Sequence, residues 1–358
     1  MAHLSQLSFV VVVKQLVVLM LFTLSGSVAA IDFSDLRKAE QSANVTLTAE
    51  QVSAIKAKSL TAALVWHGSS TWVSAVTKGA KDTFEKLGIK VVAVTDAQFD
   101  PAKQVADLEN IAALKPDIIL SLSVDSISTK NTYAQAIERG SKLVLLSNPI
   151  EGFEHGKDFV GIVTDDMFGM GIAAAELTGD ALNQKGKLGI IYHDASYFIT
   201  NNRDNAFREA LAQYPQIDII SEKGFVKEHE TSNIAAAMVL QNPDVEAIYV
   251  SWDTAAEGVI EALRSLDRQD IKVITHDLGI SNLLDMATNG NFYGTVSDRP
   301  FDIGATMATI GAGAIIGKPA AVVTIVPFDK VTKNNINHVW QQAFNTTLPS
   351  LLQQALAQ

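Results

Sequence analysis

Residues 61–123 read TAALVWHGSSTWVSAVTKGAKDTFEKLGIKVVAVTDAQFDPAKQVADLENIAALKPDIILSLS. Three short apolar runs, 61–67, 90–96 and 117–123, alternate with two longer stretches, 72–88 and 101–114, whose apolar residues recur at helical spacing. The first helical stretch stops at Gly88, a residue that ends helices without strain. The second carries Pro101 in its first turn, where proline removes no hydrogen bond. Strands and helices in this rhythm predict a parallel sheet covered on both faces.

The rhythm extends to residue 332. Helical patterns at 129–140 and 166–182 bracket strands at 142–148 and 159–164. A second series opens with KLGIIYH at 187–193, followed by strands at 217–224, 247–252, 271–277 and 293–298. Helical patterns at 201–214, 233–242, 254–266 and 280–290 separate them. A helix at 301–317 and a strand pair within 322–332 close the series. These strands are too many for one sheet, and the pattern restarts near residue 164. The expected fold is therefore α/β: two doubly wound parallel-sheet lobes joined by a three-strand hinge. Residues 31–163 plus 299–325 are expected to form the N-terminal lobe, and 164–298 plus 326–358 the C-terminal lobe. Chain crossings are expected near 163–165, 297–299 and 325–328.

Residues 1–30, MAHLSQLSFVVVVKQLVVLMLFTLSGSVAA, read as a signal peptide. Lys14 precedes an apolar run that breaks at Ser25, and Val28, Ala29 and Ala30 set the small-x-small pattern for cleavage after Ala30. The run after Lys14 is shorter than the roughly 20 residues a spanning helix needs. The predicted fate is export across the inner membrane. With 47% hydrophobic residues the chain can bury a large core, and with no cysteine it does so without disulfides. Cysteine catalysis and thiolate metal sites are excluded. The net charge of −11 argues against nucleic acid as partner, since phosphate backbones are held by clustered Lys and Arg.

In doubly wound sheets, ligands bind at the carboxyl ends of the strands. Those ends are rich in polar and aromatic residues here: Ser70 and Trp72 after the first strand, Asp125 after the third, Ser147 and Asn148 after the fourth. The second series places Tyr197 and Arg203 after its first strand, then Trp252 with Asp253, His276 with Asp277, and Asp298 with Arg299. Aromatic rings beside carboxylates, amides and a guanidinium suit a neutral polyhydroxylated molecule. Its C–H faces stack on rings, and its hydroxyls both donate and accept. A strand-end Asp is also a common helix N-cap, so Asp125 and Asp253 keep that alternative. Trp66 is equally open between core and ligand platform. Arg203 falls in the polar stretch NNRDN, read as a first helical turn, where a cation opposes the helix dipole and so suggests a functional role.

No signature of an enzyme is found. GxSxG, a Walker loop and a strand-linked GxGxxG are lacking, and the seven histidines show no zinc spacing. The chain is expected to carry no catalytic residues, no metal and no cofactor.

The run from Leu64 to Leu122, with VGIVTDDMFGMGIAAAEL, NNRDNAFREAL, NPDVEAIYVSWDTAAEGVIEALRSL, IKVITHD and YGTVSDRPFDIGA, resembles the type I periplasmic solute-binding proteins, the ribose/galactose-binding and LacI-effector-like family. The resemblance spans about residues 61–330 and implies the substrate-binding component of an ABC-type importer. Such a protein acts as a monomer that closes on a small sugar or polyol and docks on a membrane permease. It also implies ligand contacts at Ser70, Trp72, Ser147 or Asn148, and Arg203, and at the pairs Trp252–Asp253 and His276–Asp277, with Asp298 on the hinge side. Trp252 departs from the family pattern, which has an amide there. The long N-terminal approach and the tail FDKVTKNNINHVWQQAFN also resemble the autoinducer-2-binding receptor of marine vibrios. That likeness implies, as the alternative, signalling through the periplasmic domain of a sensor kinase.

Overall fold

Apolar strands that read as unbroken runs are buried on both faces. In the computed structural model, which describes Phe33 and residues 36–358, the strand interiors 118–121, 143–146, 161–164 and 247–250 are fully buried. The leader and its cleavage position lie outside the described residues.

The first half of the chain runs β1 (Glu40–Gln41), α1 (Ala49–Lys56), β2 (Thr61–Trp66), α2 (Thr71–Lys86), β3 (Lys90–Asp96), α3 (Pro101–Leu114), β4 (Ile118–Ser121), α4 (Lys130–Glu138), β5 (Lys142–Leu146) and β6 (Gly161–Thr164). The second runs α5 (Met167–Ala181), β7 (Lys185–His193), α6 (Phe198–Ala210), β8 (Gln216–Phe225), α7 (Thr231–Gln241), β9 (Ala247–Val250), α8 (Asp253–Ser265), β10 (Lys272–His276), α9 (Ile280–Ala287) and β11 (Phe292–Ser297). Then come α10 (Pro300–Ile315), β12 (Val323–Ile325), β13 (Asp329–Val331), α11 (Ile336–Phe344) and α12 (Ser350–Leu356).

Local chemistry sets several of these limits. Ser70 caps α2 by accepting from the Val73 N–H at 3.1 Å. Asp100 caps α3 by accepting from Ala102 N–H at 2.8 Å, with Pro101 following in the first turn. Thr48 and Gln51 form a capping box at α1.

The strands form two sheets, in the orders β1-β12-β6-β5-β4-β2-β3 and β13-β11-β10-β9-β7-β8. Neighbours are parallel except β11 and β13. Each sheet reverses its strand order beside its first long strand, β2 or β7, which is where α/β sheets open a crevice. The chain passes from one sheet to the other between β6 and α5, between β11 and α10, and between β12 and β13. The last strand pair expected within 322–332 is therefore not a pair. β12 lies beside β6 and β13 beside β11, because the chain crosses between the sheets at 326–328.

Helix α10 returns to the first sheet and lies against α2. A methyl on Gly79 would sit 2.0 Å from the Phe301 carbonyl oxygen, and one on Gly304 would sit 1.9 Å from that of Val76. Only glycine permits this approach. The tail helices cover the second sheet: Trp340, Phe344 and Leu352 join a core with Leu283, Met286 and Val331. One boundary differs from the sequence reading in a way that matters below. Helix α6 starts at Phe198, not Asn201, so Arg203 sits in its second turn.

Candidate ligand-binding site

The carboxyl ends of ten parallel strands meet at one cavity of about 80 Å³ that is partly open to solvent. That is room for about five to eight water-sized groups, which limits a guest to roughly one small ring. From the first sheet, His67, Ser70 and Trp72 follow β2, Phe99 follows β3, Leu122 follows β4, Ser147 follows β5 and Asp165 follows β6. From the second, Tyr197 and Arg203 follow β7, Glu228 follows β8, Trp252 and Asp253 follow β9, Asp277 follows β10 and Asp298 follows β11. Three of these residues, Phe99, Ser147 and Asp277, hold left-handed backbone conformations, with φ of +55°, +50° and +68°. Such non-glycine positions gather where a site dictates the turn.

Arg203 is the electrostatic centre. It is buried, with Nη1 at 3.6 Å from Asp277 Oδ1 and 4.0 Å from Asp165 Oδ2, and Nη2 donates to the Ser251 carbonyl at 3.2 Å. Asp204, one residue on, accepts from Tyr249 Oη and Ser251 Oγ, both at 2.7 Å, and so ties α6 to β9. Burial works against the charge on Arg203, but Asp277 and Asp165 outweigh it and hold the guanidinium protonated. Burial pushes the Asp165 carboxyl up to about 7, opposed by Arg203 and reinforced by Asp277. Burial likewise raises Asp253, Asp277 and Asp298. It lowers His67 to about 4, which leaves that imidazole neutral.

Several contacts join the sheets across the cavity. Phe99 stacks on Trp252, with centroids 5.9 Å apart and planes 10° from parallel. Asn148 accepts from the Ile199 N–H at 3.2 Å and donates to the Ser123 carbonyl at 2.9 Å. At the rear, Trp72 Nε1 donates to Asp298 Oδ1 at 2.8 Å, linking residues 226 apart in sequence. The two sides of the cleft therefore meet at these residues.

Of the residues predicted from strand ends, Ser70, Trp72, Ser147, Tyr197, Arg203, Trp252, Asp253, Asp277 and Asp298 line the cavity. Asp125 does not. It accepts from Ile127 N–H, Ser128 N–H and Ser128 Oγ, closing the turn that precedes α4. Asn148 does not line it either, because both ends of its amide are committed to the backbone across the lobes. Trp66 is core, with Nε1 donating to Thr77 Oγ1 at 2.9 Å. His276 faces Tyr249 Oη at 3.0 Å, away from the lining. The dipole argument for Arg203 loses its basis with the earlier helix start; the flanking Asp165 and Asp277 explain its burial instead.

Among the lining residues that escaped the sequence reading are Phe99, Asp165 and Glu228. Asp165 directly follows an apolar strand and was legible by the strand-end rule. Phe99 lies three residues past β3 in a turn, and Glu228 three residues past β8, beyond where the rule looks.

Compared with known proteins, residues 43–319 match the family model of the periplasmic binding protein domain. The D-allose-binding periplasmic protein of Escherichia coli K12 is 26% identical over 241 residues, covering 66% of this chain and 77% of that protein. The ribose import binding protein RbsB of Bacillus subtilis 168 is 26% identical over 239 residues, covering 67% and 75%. Among solved structures, an ABC transporter solute binding protein from Agrobacterium vitis bound with alpha-D-tagatopyranose aligns with a TM-score of 0.74 at 19% identity, covering 80% of this chain and 99% of that one. One from Mycobacterium smegmatis with bound glycerol aligns at 0.72 and 21%, covering 82% and 100%. These structural likenesses establish the fold.

Proposed function

We propose, starting from the fact that the chain belongs to the periplasmic binding protein family, that it is the substrate-binding component of an ABC-type importer and takes one small sugar or polyol between its lobes. The observation that carries this is the convergence of strand ends from both sheets on one cavity of monosaccharide scale. Among the relatives named above are a ribose import binding protein and ABC transporter solute binding proteins, which favours the importer over the sensor-kinase receptor.

The leader is removed after Ala30 and the mature chain works in the periplasm as a monomer. The lobes are residues 31–163 with 299–325 and 164–298 with 326–358, hinged at the three crossings. Ser70 and Trp72 hold the guest from one lobe, and Tyr197, Arg203, Trp252, Asp253 and Asp277 from the other, with Asp298 at the hinge. A guest that touches both lobes is bound only when they meet, so it shifts the population to the closed form, which a permease then reads. No catalytic step is assigned.

The test is a thermal-shift panel of pentoses, hexoses, polyols and their amino derivatives, followed by calorimetry on Arg203→Ala. One class of compound should raise the melting temperature, since a ligand at 100 times its Kd adds about 2.7 kcal/mol. Arg203→Ala should weaken its binding at least 100-fold. A silent panel, or full affinity in the variant, refutes the proposal.

A further inference from the structure

The cavity wall carries five carboxylates, Asp165, Glu228, Asp253, Asp277 and Asp298, against one cationic side chain, Arg203. Arg203 is taken up by Asp277 and Asp165 at 3.6 and 4.0 Å. Among the described residues no ion pair involves Asp253 or Asp298. Both are almost wholly buried, 3% and 1% exposed, and each presents an Oδ2 with no hydrogen-bond partner. A buried carboxylate without a cation or a full set of donors is a costly arrangement. It persists here on the lining of a cavity, where a guest can supply what is missing.

A neutral hydroxyl offers such an oxygen one hydrogen and no charge. An ammonium offers three donors and cancels the charge. We propose, resting on the reading of this cavity as the sugar or polyol site, that the guest is an amino sugar or aminopolyol whose protonated amine is held by Asp253 and Asp298. Among the described residues no group of three or more carboxylate or imidazole side chains has metal-site geometry, so the cation is organic. The rings of Trp72 and Trp252 on the same wall add a surface that favours cations.

The approach to the cavity fits the same guest. A second hollow of about 580 Å³, open to solvent, shares Glu228 and Thr254 with the cavity and adds Glu257 and Glu261. Its Arg264 is tied to Asp285. The resulting negative potential draws cations inward.

The same two carboxyls favour their protonated forms. Burial holds Asp253 and Asp298 well above the usual carboxylate range. Asp277, Glu257 and Glu228 reinforce this for Asp253. Asp277 and Asp165 do so for Asp298, against Trp72 and Arg203. An ammonium guest must displace those protons, so its affinity rises with pH while the amine stays charged.

Calorimetry on the full-length mature protein tests this with D-glucosamine, D-galactosamine and 2-amino-2-deoxy-D-ribose, each beside its hydroxyl parent and its N-acetyl derivative. One amine is expected to bind at least tenfold tighter than both counterparts at pH 7.5, and at least fivefold weaker at pH 5.5. Asp298→Asn and Asp253→Asn are each expected to weaken that amine tenfold or more without lowering the melting temperature. A neutral parent that binds as tightly as its amine overturns the cationic guest and leaves the sugar-binding reading standing. If no member of any series binds, both readings fall. Full amine affinity in both Asn variants overturns the assignment to these two carboxylates, and the pH profile of the unaltered protein decides the matter if a variant fails to fold.

Discussion

Asp165→Asn is expected to raise the stability of the unliganded protein at pH 8 by up to about 4 kcal/mol while leaving it nearly unchanged at pH 4. Asp165 is 2% exposed, and its carboxyl is pushed up to about 7 by burial, with Asp277 adding to the effect and Arg203 opposing it. In the unfolded chain the same carboxyl ionises near its ordinary value, about 3.9. The native state therefore binds this proton more tightly than the unfolded state does. Stability from the protonated group is present in full below about pH 4 and is lost as pH rises from 4 to 7. Each unit of difference is worth about 1.4 kcal/mol, and roughly three units separate the two states, which makes about 4 kcal/mol. That is a large share of the 5–15 kcal/mol typical of a folded domain. Asparagine has nearly the same shape and no charge to desolvate, and Arg203 keeps Asp277 at 3.6 Å. Urea unfolding followed by far-UV circular dichroism, at half-unit steps from pH 4 to 8, measures the difference between variant and parent. A difference that does not grow with pH, or a variant less stable than the parent at pH 8, would refute the placement of Asp165 as a buried, proton-holding group.

Trp72→Phe removes the 2.8 Å indole contact to Asp298 and should abolish most of the ligand-linked change in tryptophan emission. A variant that responds like the parent takes Trp72 out of the pocket. Phe99→Ala deletes the stack on Trp252 that holds the lobes together. With such pairs worth about 0.5–1.5 kcal/mol, affinity should fall roughly 2- to 12-fold by calorimetry, and no change would count against that contact as a closing element. Asn148→Ala strands the Ser123 carbonyl and the Ile199 N–H, and denaturant melts should show a loss of about 1–3 kcal/mol. An unaltered melt would mean that the bridge between the lobes carries no weight.

Much of the site was legible because the fold is written in local terms. A strand covered on both faces must be apolar throughout, and a helix packed on one side must repeat its apolar residues about every 3.6 positions. Those constraints act within a dozen residues and show in the sequence directly. Once they had placed the strand ends, the rule that ligands sit there pointed to nine of the lining residues. It misled at Asp125 for a local reason: an Asp that begins a turn and an Asp that faces a cavity share the same sequence pattern. Asp253 fits that pattern too, and no nearby residue separates the two cases.

The amino-acid order alone determined two parallel sheets with covered faces, the alternation that builds them and the strand ends where chemistry collects, since each follows from backbone geometry and the burial of apolar side chains. Only the tertiary structure decided which of those ends face one another. Trp72 reaches Asp298 across 226 residues, Phe99 meets Trp252, and Arg203 settles between Asp165 and Asp277. Such contacts depend on the order of strands in each sheet and on how the two lobes close. Those are properties of the whole packed chain, and no short window of sequence contains them.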